Sequence, residues 1–208
     1  MDNLPFDDSG LNSATIDNFK AIYSTVRSRF NLQFTGHINF HLEDFEAFRN
    51  CVEINQRASY VIKHERSDSY LLFIETKHAN NSGKGHITEE HYLHHTWALA
   101  YLKKDFGRIV IRPETLRDKI IELIHPLELD FDDDKAFSNT FYVIVSDVQK
   151  AKTCMDRKFR NAVMDIRDND FIIEIVNHTL IIGSHHPMQP EKAIEIADFV
   201  NQLADFCW

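Results

Sequence analysis

Along SATIDNFKAIYSTVRSRF (13–30), the apolar positions Ile16, Phe19, Ile22, Tyr23, Val26 and Phe30 recur at spacings of three and four. That period predicts an amphipathic helix, with Ser13 or Thr15 available as its N-cap. A short strand-like stretch, LQFTGHINF (32–40), follows. LEDFEAFRNCV (42–52) then returns to helical spacing through Leu42, Phe45, Phe48 and Val52. ASYVIKH (58–64) and SYLLFIETKH (69–78) are rich in β-branched and aromatic residues, and the ERSD between them predicts a hairpin. ANNSGKG (79–85) is a loop signal. Beyond it, EEHYLHHTWALAYLKKD (89–105) alternates, with His91, Leu93, His95, Trp97, Leu99 and Tyr101 on one side. KKDFG (103–107) turns the chain into RIVIRP (108–113), so the middle reads as an antiparallel meander of four strands.

The second half changes rhythm. PETLRDKIIELI (113–124) opens on a proline suited to a first helical position and carries Leu116, Ile120 and Ile124 on one face. LELDF (127–131) alternates as a strand before the acidic turn DDDK (132–135). NTFYVIVS (139–146) is a strand, and residues 147–166 are mostly helical. DFIIEIVN (170–177) and TLIIGSH (179–185) form a second hairpin. PEKAIEIADFVNQLADF (190–206) closes the chain as a helix with an apolar stripe through Ala193, Ile196, Phe199, Val200, Leu203 and Phe206. The expected fold is α+β, an antiparallel sheet meander covered by amphipathic helices, with a C-terminal helix. Residues 1–208 read as one domain, with a subdivision near residue 105 as the alternative.

Composition narrows the function classes. The chain has 208 residues, 43% hydrophobic and 26% charged, enough for burial of roughly 70% of the unfolded surface. Apolar runs such as YLLFI (70–74) fall far short of the roughly 20 residues a membrane helix needs. The acidic start MDNLPFDDSG carries no basic segment leading into an apolar stretch, so no secretory signal is expected and the cytoplasm is the default location. Cys51, Cys154 and Cys207 are far apart, which argues against a disulfide framework and a thiolate zinc site. A formal charge of −9 argues against binding a nucleic-acid backbone. The compact basic segment DRKFR (156–160) reads as a solvated helix face.

GRIVIRPETLRDKI, LELDFDDDKAFSNTFYVIVSDVQKAKTCMDRKFRNAV and DFIIEIVNHTLIIG together resemble an uncharacterised bacterial family. The resemblance spans roughly residues 105–184 and rests on hydrophobic spacing plus Pro113, Glu114, Asp130, Phe137, Phe141 and Asp147. Many of that family's members carry membrane helices ahead of the domain, and this chain shows none. The resemblance implies no activity and no catalytic residues.

Candidate chemistry concentrates in HITEEHYLHH (86–95), with four histidines and two glutamates. As a helix it would set His91 and His95 on one face, an arrangement suited to zinc, nickel or copper. As a strand it would still place both on one face, but about 13 Å apart, too far for one ion. The continuing alternation favours the strand, with side-by-side histidines along exposed and edge positions. His86, Glu90, His91 and His95 are the candidate ligands if zinc or another divalent transition metal binds. SHHP (184–187) reads as loop surface that would join this cluster if the two hairpins were neighbours. DFDDD (130–134) lacks the ligand spacing of a calcium loop and reads as a solvated turn. No nucleophile elbow and no phosphate-cradling loop occurs. The leading expectation is therefore a non-enzymatic interaction or scaffold domain, needing no cofactor, with an unknown protein partner or a homodimer and no membrane insertion. A metal-dependent, hydrolase-like enzyme using residues 86–95 is the rival. Small-ligand binding in a curved, pleckstrin-homology-like sheet is the third reading.

Overall fold

The computed structural model describes residues 5–81, 88–113, 127–167 and 169–206. Helix α1 (Ser13–Arg29) forms over the predicted stretch and buries Phe19, Ile22 and Val26. Its N-cap is Asn12, not Ser13 or Thr15. The Asn12 side chain accepts from the Thr15 amide at 2.9 Å, satisfying a donor that the first turn leaves without a helical partner.

Residues 42–52 do not make the expected helix. They form two 3-10 turns, Leu42–Asp44 and Glu46–Phe48. A 3-10 turn has three residues per turn, so positions i and i+3 eclipse. Leu42, Phe45 and Phe48 therefore still bury together, as their spacing required, without an α-helix.

The strands are β1 (Leu32–Phe34), β2 (Glu53–Ile62), β3 (Ser69–Asn81), β4 (Thr88–Tyr101), β5 (Arg108–Pro113), β6 (Leu127–Glu128), β7 (Phe141–Val145), β8 (Ile172–Val176) and β9 (Thr179–Gly183). Among the described residues they form one antiparallel sheet in the order β1-β2-β3-β4-β9-β8-β5-β7-β6. The expected meander holds from β2 to β4, but its fourth neighbour is β9. After β4 the chain passes under the β8–β9 turn: the Leu102 and Phe106 amides donate to the His178 and Asn177 carbonyls at 2.6 and 2.9 Å. It then emerges as β5 on the far side of that hairpin, so β1–β4 and the strands after residue 105 form two blocks of one sheet, joined where β4 pairs with β9. Among the described residues the outer strands are β1 and β6 and the sheet is open, where a pleckstrin-homology-like barrel would require closure.

Alternation gives the sheet two different faces. Tyr60, Phe73, Ala98, Leu180, Ile175, Ile109 and Val143 line one, in a core shared with α1 and with α5 (Pro190–Phe206). The other carries Leu72, Ile74, Trp97, Leu99 and Ile181, packed by Phe40, Leu42, Phe45 and Phe48 of a strap that crosses it. Gly183 of β9 faces Trp97 so closely that any Cβ would overlap the indole.

The predicted helix at 113–124 lies outside the described residues, apart from Pro113, which ends β5. The helical stretch 147–166 splits into α3 (Val148–Cys154) and α4 (Arg157–Met164), after the short α2 (Lys135–Thr140). Asp147 and Asp156 each accept two amides at a helix start, and a second N-cap breaks what spacing alone would join. LELDF contributes only the two residues of β6. DRKFR is not a solvated face, because Arg160 is buried. Its guanidinium donates to Asp133 at 2.7 Å and Asp134 at 2.9 Å, and lies 4.4 Å from the centre of the Phe131 ring. The acidic turn is thus the counter-charge of a buried arginine. Phe137 and Phe141, which carried the family resemblance, are core residues with ring centres 5.1 Å apart.

Candidate functional site

Strand β4 has an asymmetric pair of edges. β3 pairs with it along nearly its whole length, from Asn81 opposite Thr88 to Ser69 opposite Ala100. On the other edge, β9 pairs only with Trp97–Tyr101. Past Gly183 the chain turns away at Ser184, whose hydroxyl donates to Asp170 and accepts from the His186 amide. Among the described residues, no strand and no other backbone-to-backbone hydrogen bond reaches that edge of β4 over residues 90–95. Tyr92 and Leu93, on opposite faces of this stretch, are 49% and 37% exposed.

The predicted metal ligands are dispersed by the strand. His91 and His95 lie on the strap face, separated by Leu93. Glu90 lies on the helix face, where it accepts from Lys77 at 2.9 Å. His86 is outside the described residues. Among the described residues, no three histidine, cysteine or acidic side chains gather as a metal-holding group.

His95 is not on the exposed strand surface that its neighbours suggested. It is buried, with Nε2 2.9 Å from Thr76 Oγ1, and the same hydroxyl lies 2.9 Å from Nε2 of His78. A hydroxyl has one proton to give, so at least one of these imidazoles donates through Nε2. Burial, reinforced by His185, pushes His95 down to about 4, leaving it neutral near pH 7. His185 does not lie on open loop surface either: the two hairpins are neighbours, and its ring meets His95 and Trp97 edge-on at 6.2 and 6.1 Å. His186 faces Asp170 instead, at 3.0 Å.

This polar stripe does not assemble an activated nucleophile. Cys51 Sγ lies 3.7 Å from His78 Nε2. Burial raises the thiol, while burial and the nearby His91 lower the imidazole. Both displacements oppose proton transfer to the imidazole, so the thiol stays protonated. Two hollows on the surface, of about 500 and 390 Å³, are lined by no histidine. The larger lies against α4 and α5, and the smaller beside Arg49, Arg108 and Lys150.

Two buried carboxylates gave no sequence signal. Glu75 accepts from Arg57 at 2.7 Å and sits 3.0 Å from His94, linking β2, β3 and β4 beneath α1. Glu174, on the strap face of β8, accepts from the Ala47 amide at 3.2 Å and so holds the strap to the sheet. Desolvation raises it to about 7. Glu174 is the one polar position of IIEIV and Glu75 follows the apolar run YLLFI, and only the strand order reveals their partners.

No family model and no curated sequence matches the chain. The fold is shared with a solved structure. It is the crystal structure of the mycobacterial trehalose monomycolate transport factor A, TtfA, at 10% identity, with a TM-score of 0.59, over 89% of this chain and 92% of that one. Among the described residues, no helix is long and apolar enough to cross a membrane.

Proposed function

We propose that this chain is a non-enzymatic interaction domain that receives an extended polypeptide segment on the open edge of β4. The observation that carries the reading is the stretch 90–95, whose outer edge has no backbone partner among the described residues while Tyr92 and Leu93 stand exposed beside it. An unpaired strand edge offers a row of amides and carbonyls to an incoming strand, and alternate side chains supply selectivity. The sheet's outer strands are poorer hosts, since β1 has three residues and β6 two. The protonated Cys51 thiol and two hollows that no histidine lines favour this reading over catalysis.

Selection of random displayed peptides against the purified chain tests the reading. Selected peptides should alternate apolar and polar residues and protect the amides of 90–95 from hydrogen exchange. Binders that protect only other surfaces would overturn it.

A further inference from the structure

We infer that the occupant of the β4 edge is a second copy of the chain, its β4 running antiparallel about a two-fold axis through Tyr92. This inference rests on the interaction reading above and names the partner. Two copies joined by the same edge are related by an axis perpendicular to the sheet, which keeps the helix faces on one side. Residues opposite each other must then have equal parity, so the axis passes through a residue and not between two. Three centres fit the open stretch. Centred on His91, the carboxylate of Glu90 meets Tyr92. Centred on Leu93, His91 meets His95 and Tyr92 meets His94, which places imidazole against imidazole.

Centred on Tyr92, Glu90 of each copy meets His94 of the other, and His91 meets Leu93. This register sets a carboxylate opposite an imidazole twice, once on each side of the axis. Both groups lie on the helix face and are within reach of solvent: the Glu90 side chain is 50% exposed and that of His94 18%. A cross-strand pair in which an acceptor faces a possible donor supports an antiparallel ladder better than two like groups do. The exposed Tyr92 rings meet at the axis, and each Leu93 is covered from the other strap face. Joining the copies removes both open edges at once and extends one sheet through the dimer.

Cysteine cross-linking reads the register, and sedimentation reads the state. At the axis, paired Cα atoms lie about 4.5–5.5 Å apart, within disulfide range. Tyr92→Cys should therefore give a covalent dimer under mild oxidation, well above the background of the wild-type chain with its own three cysteines. Glu90→Cys should not, because its two copies lie about 13 Å apart along the strands. The wild-type chain should sediment as a dimer at micromolar concentration, and Leu93→Lys as a monomer with an unchanged melting profile. A monomeric wild type that still takes selected peptides on residues 90–95 overturns this inference and leaves the interaction reading standing. A dimer in which Tyr92→Cys stays at background overturns it too. Peptides protecting only other surfaces overturn the interaction reading itself.

Discussion

Glu174 on β8 and His95 on β4 share the strap face, and burial drives both toward neutrality from opposite directions, to about 7 and about 4. The raised carboxyl takes up a proton on folding between its ordinary 4.5 and 7, so its contribution grows as pH falls through that window. The depressed imidazole refuses a proton that the unfolded chain accepts below 6.5, so its contribution shrinks as pH falls toward 4. Each displacement is worth roughly 3 kcal/mol, and between pH 6.5 and 4.5 the two largely offset. Aspartates held low, such as Asp105 and Asp133, act only below their ordinary 3.8. Glu174→Gln should unmask the histidine: in urea titrations its stability should drop by about 2–3 kcal/mol more than the parent's between pH 6.5 and 4.5. Parallel profiles would contradict the assignment. Gly183→Ala should cost about 1–3 kcal/mol, since Trp97 must give way, and a thermal melt measures that. At this scale the sequence is legible for apolar residues and nearly mute for polar ones. Phe45 and Phe48 were placed in the core by spacing alone. The burial of His95, Glu174 and Arg160 depends on neighbours far along the chain, which no local pattern encodes.

Elements were read well where one period dominates. The spans of α1 and α5 follow directly from spacings of three and four, and alternation gives the β2–β3 hairpin, although β2 begins at Glu53 and not at the expected Ala58. The strap departs from its expected helix because LEDFEAFRNCV satisfies α and 3-10 periods alike, and both periods bury Leu42, Phe45 and Phe48. Its grip on the sheet comes from those rings and from the Ala47–Glu174 bond. Phe48→Ala, which removes a ring 5.2 Å from Trp97, should cost about 3–5 kcal/mol and red-shift tryptophan emission. If β4 is unaffected, amide exchange should quicken over 42–51 and stay unchanged over 97–101. Equal loss of protection in both would show that strap and sheet open as one unit. For the candidate site, the sequence correctly placed HYLHH on a strand and His91 with His95 on one face. It could not show that β9 stops at Gly183, and it is this stop that leaves the edge without a partner among the described residues.

Across the whole molecule, strand order is the least legible property, because β4 and β9 are neighbours in space yet remote in sequence. Their pairing makes residue 105 a poor place to cut. A chain ending there would bare the Trp97–Tyr101 edge and the apolar Leu99. It should aggregate on purification, and a soluble, folded fragment by sedimentation and circular dichroism would contradict that. The central claim is the open edge, and hydrogen exchange resolved by residue tests it most directly. In the dilute free chain, amides of 90–95 that point away from β3 should exchange near the unstructured rate, while those directed at β3 stay protected. At high concentration, or with a selected peptide bound, the outward amides should become protected as well. Uniform protection of all amides from 90 to 95 at high dilution would mean that the edge is already filled within one chain, and would contradict the claim.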